Sequence, residues 1–128
     1  MADTQRRPVN RLTDCPMLVR VFVTENGPHH KADDYSMDGK TPANEANIYT
    51  WLNANLKELC SLLLDVLSFP TSKAEVSFAV VYPSNNALQV RQLATVRYSD
   101  GSPSGDTRKT LHDLKFESGD YLDVTVSF

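Results

Sequence analysis

The fold depends most on residues 53–67, which have the sequence Asn-Ala-Asn-Leu-Lys-Glu-Leu-Cys-Ser-Leu-Leu-Leu-Asp-Val-Leu. Asn53 or Asn55 can cap a helix here, and Asn55 has Glu58 three positions later, as in a capping box. Phe69-Pro70 is expected to end the helix, because proline disfavours the α conformation at the residue before it. The spacing i, i+3, i+4, i+7 predicts a single apolar face formed by Leu56, Leu59, Cys60, Leu63, Val66 and Leu67.

Short segments rich in β-branched and aromatic residues surround this helix and are predicted to form strands. In the first segment, period-two alternation places the odd-numbered residues on the buried face. In the fourth, Leu93 breaks the alternation, so either a bulge or the end of the strand is expected near Gln92. The phase of the second segment is not settled by its sequence. The predicted strands are residues 17–23, 48–51, 76–82, 88–96 and 121–126.

The order of elements is therefore β-β-α-β-β-β, without an internal repeat. A single amphipathic helix buries its apolar stripe by crossing one face of a mixed sheet. This order predicts an α+β fold of the ubiquitin-like, β-grasp type. Residues 110–116 resemble the short turn before the last strand of ubiquitin, and the resemblance implies that Leu111 and Phe116 point inward. Residues 98–109 are expected to form an exposed loop. We expect residues 1–14 to be a disordered N-terminal tail and residues 15–128 to be one domain.

The composition is that of a soluble globular protein, with 41% hydrophobic and 23% charged residues in a chain of 128. A formal net charge of −3 argues against the broad positive field of a protein that binds nucleic acid by itself. Cys15 and Cys60 form no CxxC unit, and both are expected to be reduced and mostly buried. We expect no signal peptide and no membrane span. The chain ends without Gly-Gly, so we expect no covalent modifier.

The cluster that comes closest to a metal site is His29 and His30 with Asp33 and Asp34. A metal site needs three or four ligands that converge on one point, and adjacent histidines rarely both face one ion. The sequence also lacks a GxSxG elbow, a catalytic cysteine signature and a glycine-rich phosphate loop. We therefore predict no catalytic residue, metal or cofactor, and a protein that is not an enzyme.

The outer face of the sheet, opposite the helix, is the expected docking surface. Alternation in the last strand places Tyr121, Asp123 and Thr125 outside, as an exposed polar patch. Residues 24–46 are rich in turn-forming residues and are expected to form a long surface loop.

Two residues of the first strand, Leu18 and Phe22, are candidate apolar anchors on this face, and Ile48, Tyr49 or Trp51 can add to them. Phe22 is either exposed there or covered by the long loop. An aromatic residue at an open sheet edge suits a partner that adds an extended segment. Phe22 beside Arg20 is also a fragment of an RNA-binding sheet, so direct RNA binding is the alternative function, although the ribonucleoprotein motif is absent.

A set of strings, in this order along the chain, resembles one protein family. That family is the eighteen-kilodalton subunit of the Sin histone-deacetylase corepressor, which is also a subunit of the apoptosis- and splicing-associated complex. The strings are Cys15-Pro16-Met17-Leu18-Val19-Arg20-Val21-Phe22, Gly27-Pro28-His29-His30, Ile48-Tyr49-Thr50-Trp51, Leu56-Lys57-Glu58-Leu59, Phe78-Ala79-Val80-Val81-Tyr82, and Lys115-Phe116 through Gly119-Asp120-Tyr121-Leu122-Asp123.

The resemblance implies a ubiquitin-like adaptor without enzymatic activity, found in the nucleus with some in the cytoplasm. It implies two sets of partners: an acinus- or pinin-type protein with a serine-rich RNA-binding protein, and the Sin corepressor with its histone deacetylases. RNA is then contacted through partners. Together with the outer-face argument, it predicts partner contacts at Leu18, Arg20, Phe22, His29, His30, Tyr35 and Trp51.

Overall fold

The computed structural model describes residues 9–67 and 72–128, which form one mixed sheet of six strands and one long helix. The strand order is β2-β1-β6-β3-β4-β5; β1 and β6 are parallel and every other pair is antiparallel. This arrangement confirms the predicted α+β fold of ubiquitin-like type. The elements are β1 (Met17–Glu25), β2 (Glu45–Thr50), α1 (Leu56–Leu67), β3 (Glu75–Ser84), β4 (Ala87–Ser99), β5 (Ser102–Gly105) and β6 (Tyr121–Ser127).

Helix α1 begins at the capping box that the sequence predicts. The Glu58 amide donates to Asn55 Oδ1 at 2.9 Å, and the Asn55 amide donates to Glu58 Oε1 at 3.3 Å. Val66, predicted on the buried face, is instead about half exposed, whereas Leu67 of the same turn packs against the core. The predicted end at Phe69-Pro70 lies outside the described residues. The buried face of the helix consists of Leu56, Leu59, Cys60 and Leu63.

The main core lies between α1 and the inner face of the sheet. The turn before β6 contributes Leu111 and Phe116, both fully buried as predicted. Burial raises the pKa of the Cys60 thiol to about 12, so this cysteine stays protonated. Cys15, by contrast, is exposed, which corrects the expectation that both cysteines are mostly buried. The strands contribute Val19, Val21, Val76, Phe78, Val80, Val96, Leu122, Val124 and Val126.

The region predicted as an exposed loop, residues 98–109, contains an additional strand. β4 continues to Ser99, and Asp100-Gly101 turns the chain back into β5. Both turn residues have positive φ, 52° and 83°, as a two-residue hairpin turn requires. The predicted bulge in β4 is confirmed, since the β3–β4 register shifts where Ala94 and Gln92 face consecutive residues of β3. Asp-Gly is a common sequence of such turns, so the hairpin has a local signal in the sequence.

Strand β2 has the phase that the sequence left open. Ala46, Ile48 and Thr50 point into the core, whereas Asn47 and Tyr49 are exposed on the outer face. Among the described residues, no helix has both the length and the apolar character to cross a membrane.

Candidate protein-binding site on the outer face of the sheet

Most of the outer face is covered by residues 26–44, here called the loop cover. At its two ends Asn26 and Asn44 adopt left-handed conformations, with φ of 53° and 59°, which asparagine tolerates better than most residues. In between, a single 3₁₀ turn, Ala32–Asp34, delivers Tyr35 onto the sheet. The Tyr35 ring meets Phe22 edge-on, with ring centroids 5.5 Å apart. Phe22 is therefore fully buried.

The loop cover is fastened to the sheet by a buried carboxylate, Asp123 on β6. Its Oδ1 accepts from His29 Nδ1 at 2.8 Å and from the His30 amide at 3.2 Å. Its Oδ2 accepts from His30 Nδ1 at 2.6 Å and from the Tyr35 hydroxyl at 2.6 Å. Every strong acceptor direction of the carboxylate is thus used. The Asp123 network consists of Asp123, His29, His30 and Tyr35, together with Ser77, which contacts His29.

His29 extends the network to β3, because its Nε2 lies 2.8 Å from Ser77 Oγ. The sequence of contacts Asp123–His29–Ser77 has the order of a hydrolase triad. Ser77, however, lies within a strand that pairs on both sides, opposite Thr95 on β4 and Thr125 on β6. The strand's amides are committed to these neighbours and offer no oxyanion hole. The arrangement fastens the loop cover to the sheet.

The electrostatics of the network favour an ionised Asp123. Burial opposes the charge, but the hydrogen bonds from His29, Tyr35 and His30 outweigh it and leave the pKa of Asp123 below its ordinary value. Burial, followed by the hydrogen bond to Asp123, raises the pKa of the Tyr35 phenol far above its ordinary value, so this hydroxyl remains a donor. Both histidine Nδ1 atoms point at the carboxylate, so the three groups bond to one another instead of converging on an ion.

One corner of the outer face is left open by the loop cover. Leu18 on β1 pairs with Tyr49 on β2, and their exposed fractions are 47% and 64%. Next to them Arg20 pairs with Asn47, and its guanidinium bonds Glu45 at 2.5 and 2.9 Å. These four residues, Leu18, Arg20, Asn47 and Tyr49, are the β1–β2 corner. Arg20 joins the corner to the covered part of the face, because its guanidinium carbon lies 5.2 Å above the Tyr121 ring.

Trp51 lies around the edge of β2 from this corner, beside the start of α1. Its indole N–H donates to the Asp14 carbonyl at 3.0 Å, and the Arg11 guanidinium carbon lies 5.0 Å from its ring centroid. The same guanidinium bonds Glu58 through Nη1 at 2.7 Å and Nη2 at 3.2 Å. Residues 9–14, the described part of the predicted tail, are thus held at this point of the domain.

The structure separates the predicted contact residues into two groups. Leu18, Arg20 and Trp51 are at least partly accessible. Phe22, His29 and Tyr35 are buried or nearly so beneath or within the loop cover, and His30 is bonded into the same network. Of the two alternatives for Phe22, the covered one is therefore correct. A role of Phe22, His29, His30 and Tyr35 in partner binding stays a prediction. These residues can affect a partner only by shaping the loop cover that the partner meets.

The exposed polar patch predicted on β6 is corrected by the structure. Asp123 and Thr125 do point to the outer face, but both are buried there, Asp123 completely. Alternation assigns side chains to faces and does not show what covers a face. The one available signal for Asp123 was indirect: two adjacent histidines in a long loop need a buried acceptor if the loop packs on the sheet.

Comparison with known proteins identifies the family to which the chain is similar. The profile of Sin3 associated polypeptide p18 (SAP18) matches residues 8–126. The histone deacetylase complex subunit SAP18 of Arabidopsis thaliana is 43% identical over 121 residues, 93% of this chain and 79% of that protein. The Drosophila melanogaster protein of that name is 41% identical over 127 residues (97% and 82%), and that of Homo sapiens is 37% identical over 124 residues (94% and 79%). This chain belongs to the SAP18 family.

Proposed function

We propose that this protein is a non-catalytic, protein-binding subunit of a nuclear histone deacetylase corepressor and acts in transcriptional repression. The observation that carries the proposal is the family match over residues 8–126, since the relatives are named as subunits of a histone deacetylase complex. The geometry agrees with a binding role, because the polar groups of the Asp123 network bond to one another and fasten a loop.

We assign the first contact with the partner to the β1–β2 corner. Leu18 and Tyr49 lie directly opposite each other and expose a joint apolar surface that Arg20 borders. Tyrosine and arginine are enriched among the residues that contribute most to binding energy, and an aromatic anchor beside an aliphatic one suits a partner's apolar side chain. Because Arg20 also stacks on Tyr121, this surface is rigidly connected to the covered part of the sheet.

We further propose that the same surface binds in a splicing-associated complex that acts in mRNA processing. That complex contains an acinus- or pinin-type protein and a serine-rich RNA-binding protein. This part rests on the resemblance of the ordered strings given above. RNA is then reached through these partners. Direct RNA binding remains the alternative function, but Phe22, the aromatic residue that favoured it, is fully buried, and the net charge is −3.

The proposal is tested with the purified chain as bait in nuclear extract, followed by assay of captured deacetylase activity and immunodetection of a Sin-type corepressor and of acinus- or pinin-type proteins. Leu18→Ala and Tyr49→Ala are expected to reduce capture at least about tenfold when combined, as the loss of two anchors implies. Val66→Ala is the matched control, since Val66 is an equally exposed apolar residue on α1, away from the corner.

Two outcomes contradict the proposal at different levels. Absence of deacetylase activity and of both partner classes from the wild-type bait contradicts the function. Equal capture by the corner variant and the Val66→Ala control contradicts the assignment of the surface. Direct RNA binding is tested separately by gel-shift titration at rising salt, because binding driven by phosphate contacts falls steeply with ionic strength.

A further inference from the structure

The two edges of the sheet differ in how they are protected. The outer edge strand β5 has four residues, includes Pro103 and ends at Gly105 in a left-handed conformation, all features that block further pairing. The opposite edge, β2, has six residues with no proline, lysine or arginine, and it pairs with β1 without a bulge. In the described part of the chain, β2 has a neighbouring strand on one side only.

The hydrogen-bond register shows which backbone groups of β2 face the open side. The Val23 amide donates to the Asn44 carbonyl at 3.1 Å, which continues the β1–β2 ladder by one pair. In an antiparallel ladder, alternate residues direct their N–H and C=O groups to the same neighbour. Glu45, Asn47 and Tyr49 therefore turn their backbone groups away from β1, in a row that an added strand can pair with.

A groove runs beside this row, between β2 and α1. Trp51 and Leu62 supply apolar surface, and Glu58 and Asp65 place two carboxylates along it, together with the cation of Lys57. The groove thus combines apolar surface with carboxylates.

The chain itself shows which side chain this groove accepts. Arg11 stacks on Trp51, bonds Glu58 through two nitrogens, and donates from Nε to Asn53 Oδ1 at 2.9 Å. A planar guanidinium satisfies all of these contacts together, whereas a lysine ammonium offers no plane to stack and no fork. The Arg11 and Glu58 side chains are still 36% and 41% exposed, so their ion pair contributes little to stability and is readily exchanged.

We propose that β2 and this groove accept an extended, arginine-bearing segment of a partner protein. The segment pairs with β2 as a seventh strand, and its arginine takes the place of Arg11 between Trp51 and Glu58. Pairing with the row at Glu45, Asn47 and Tyr49 supplies affinity through backbone hydrogen bonds, and the guanidinium supplies selectivity. This inference rests on the proposed function and names the chemistry of the partner segment; Tyr49 connects it to the β1–β2 corner.

The test uses a short acetylated synthetic peptide in which threonine alternates with valine about one central arginine. Two matched peptides accompany it. One has citrulline in place of arginine, which keeps the shape and removes the charge, and the other is N-methylated at alternate amides, which blocks backbone pairing. Titration of the isotope-labelled full chain is followed by NMR at the amides of Glu45, Asn47 and Tyr49 and at the Trp51 indole N–H. The arginine peptide is expected to shift all four signals, and the methylated peptide none.

Variants of the protein sharpen the test. Arg11→Ala vacates the groove and is expected to tighten binding of the arginine peptide about two- to fivefold, the range that an exposed ion pair permits. Glu58→Gln keeps the capping box with Asn55 and is expected to weaken binding at least about threefold. Glu75→Gln is the matched control, because Glu75 also forms an exposed ion pair with an arginine, Arg97, but on β3. It is expected to leave binding unchanged.

Several results overturn the inference. Equal binding of the citrulline peptide excludes a guanidinium site, and equal binding of the methylated peptide excludes strand addition. The arginine peptide could instead fail to bind while the protein forms concentration-dependent dimers that shift the same NMR signals. The β2 edge then binds a second copy of this chain, and the inference is wrong. If the wild-type bait captures deacetylase activity and Glu58→Gln captures just as much, the proposed function stands and this inference falls.

Discussion

Each face of the sheet has a cover, complete over the core on the inner face and partial on the outer face, and different interactions hold the two covers in place. On the inner face, α1 packs Leu56, Leu59 and Leu63 against the apolar side chains of the sheet, and the contact is predominantly apolar. On the outer face, the loop cover has a small apolar group around Phe22 and is otherwise fastened by hydrogen bonds to one carboxylate, Asp123.

The difference between apolar packing and directional hydrogen bonds determines how each face responds to substitution. An apolar interface is non-directional, so side chains of similar volume replace one another at small cost. A buried carboxylate that accepts four hydrogen bonds is directional, and any replacement leaves buried donors without acceptors. The inner face therefore supplies most of the stability, and the outer face supplies the defined shape of residues 26–44 that a partner meets.

The largest expected contrast comes from one shape-conserving substitution on each face. Asp123→Asn retains the volume but replaces one acceptor oxygen with an amide that faces donors, and it is expected to lower the free energy of unfolding by about 3–4 kcal/mol. Leu63→Met, at a fully buried helix position, is expected to cost less than about 1.5 kcal/mol. Urea unfolding of the two variants measures both values.

Asp113→Asn is the control for this contrast. Asp113 also accepts a backbone hydrogen bond, from the Thr110 amide at 3.1 Å, but it is exposed in a turn. Its substitution is expected to cost about 1 kcal/mol or less. Equal costs for Asp123→Asn and Leu63→Met would show that the outer face is held by shape alone.

The next effect concerns Tyr35, which joins the apolar and polar parts of the loop cover. Tyr35→Phe keeps the ring against Phe22 and removes one hydroxyl that donates to Asp123 at 2.6 Å. A hydrogen bond to a charged group is worth about 1.5–3 kcal/mol, and we expect a loss in that range by urea unfolding. In the Asp123→Asn background the same change is expected to cost clearly less, because the acceptor is already impaired. Additive costs would mean that the Tyr35 hydroxyl contributes to stability independently of Asp123.

Much of the fold was predictable from local pattern. The helix and its cap at Asn55 follow from spacing that involves neighbouring residues, and the inward anchors Leu111 and Phe116 follow from the resemblance of their segment to ubiquitin. The contacts of Asp123 were not predictable in this way, since His29 and Tyr35 are 94 and 88 positions away from it. Period two assigns Asp123 to the outer face but contains no information on its cover, which is why an exposed polar patch was expected.

The candidate site was predictable only in its accessible part. Leu18 and Arg20 follow from the phase of β1, but β2 gave no phase because two large apolar or aromatic residues, Ile48 and Tyr49, occupy consecutive positions. The contact of Arg11 with Glu58 joins residues 47 positions apart, and it lies in a segment whose polarity indicated disorder. Long-range polar contacts have no periodic signature, in contrast to apolar packing.

A smaller effect is expected in the free energy of unfolding at acidic pH. The folded-state pKa of Asp123 is lowered, so its contribution is complete above the unfolded-state value of about 3.9 and is lost as the pH falls through the folded-state pKa. The difference in unfolding free energy between the wild type and Asp123→Asn is therefore expected to be constant near neutral pH and to narrow below about pH 4. Urea unfolding at a series of pH values measures it. A difference that widens on acidification would mean that the carboxyl is protonated in the folded protein.

The smallest expected effect is that of Ser77→Ala at the far end of the network. The Ser77 hydroxyl bonds His29 Nε2 at 2.8 Å, while Nδ1 of the same ring remains on Asp123. Loss of one neutral hydrogen bond is expected to cost about 0.5–1.5 kcal/mol, against less than about 0.5 kcal/mol for Ser61→Ala on the exposed face of α1. Nitrogen NMR of the His29 ring is the sharper measurement. Because Asp123 fixes the proton on Nδ1, the tautomer is expected to survive the loss of Ser77 and to change in Asp123→Asn. If Ser77→Ala instead changes the tautomer, the ring is positioned from β3, and the carboxylate is not the group that fastens the loop cover.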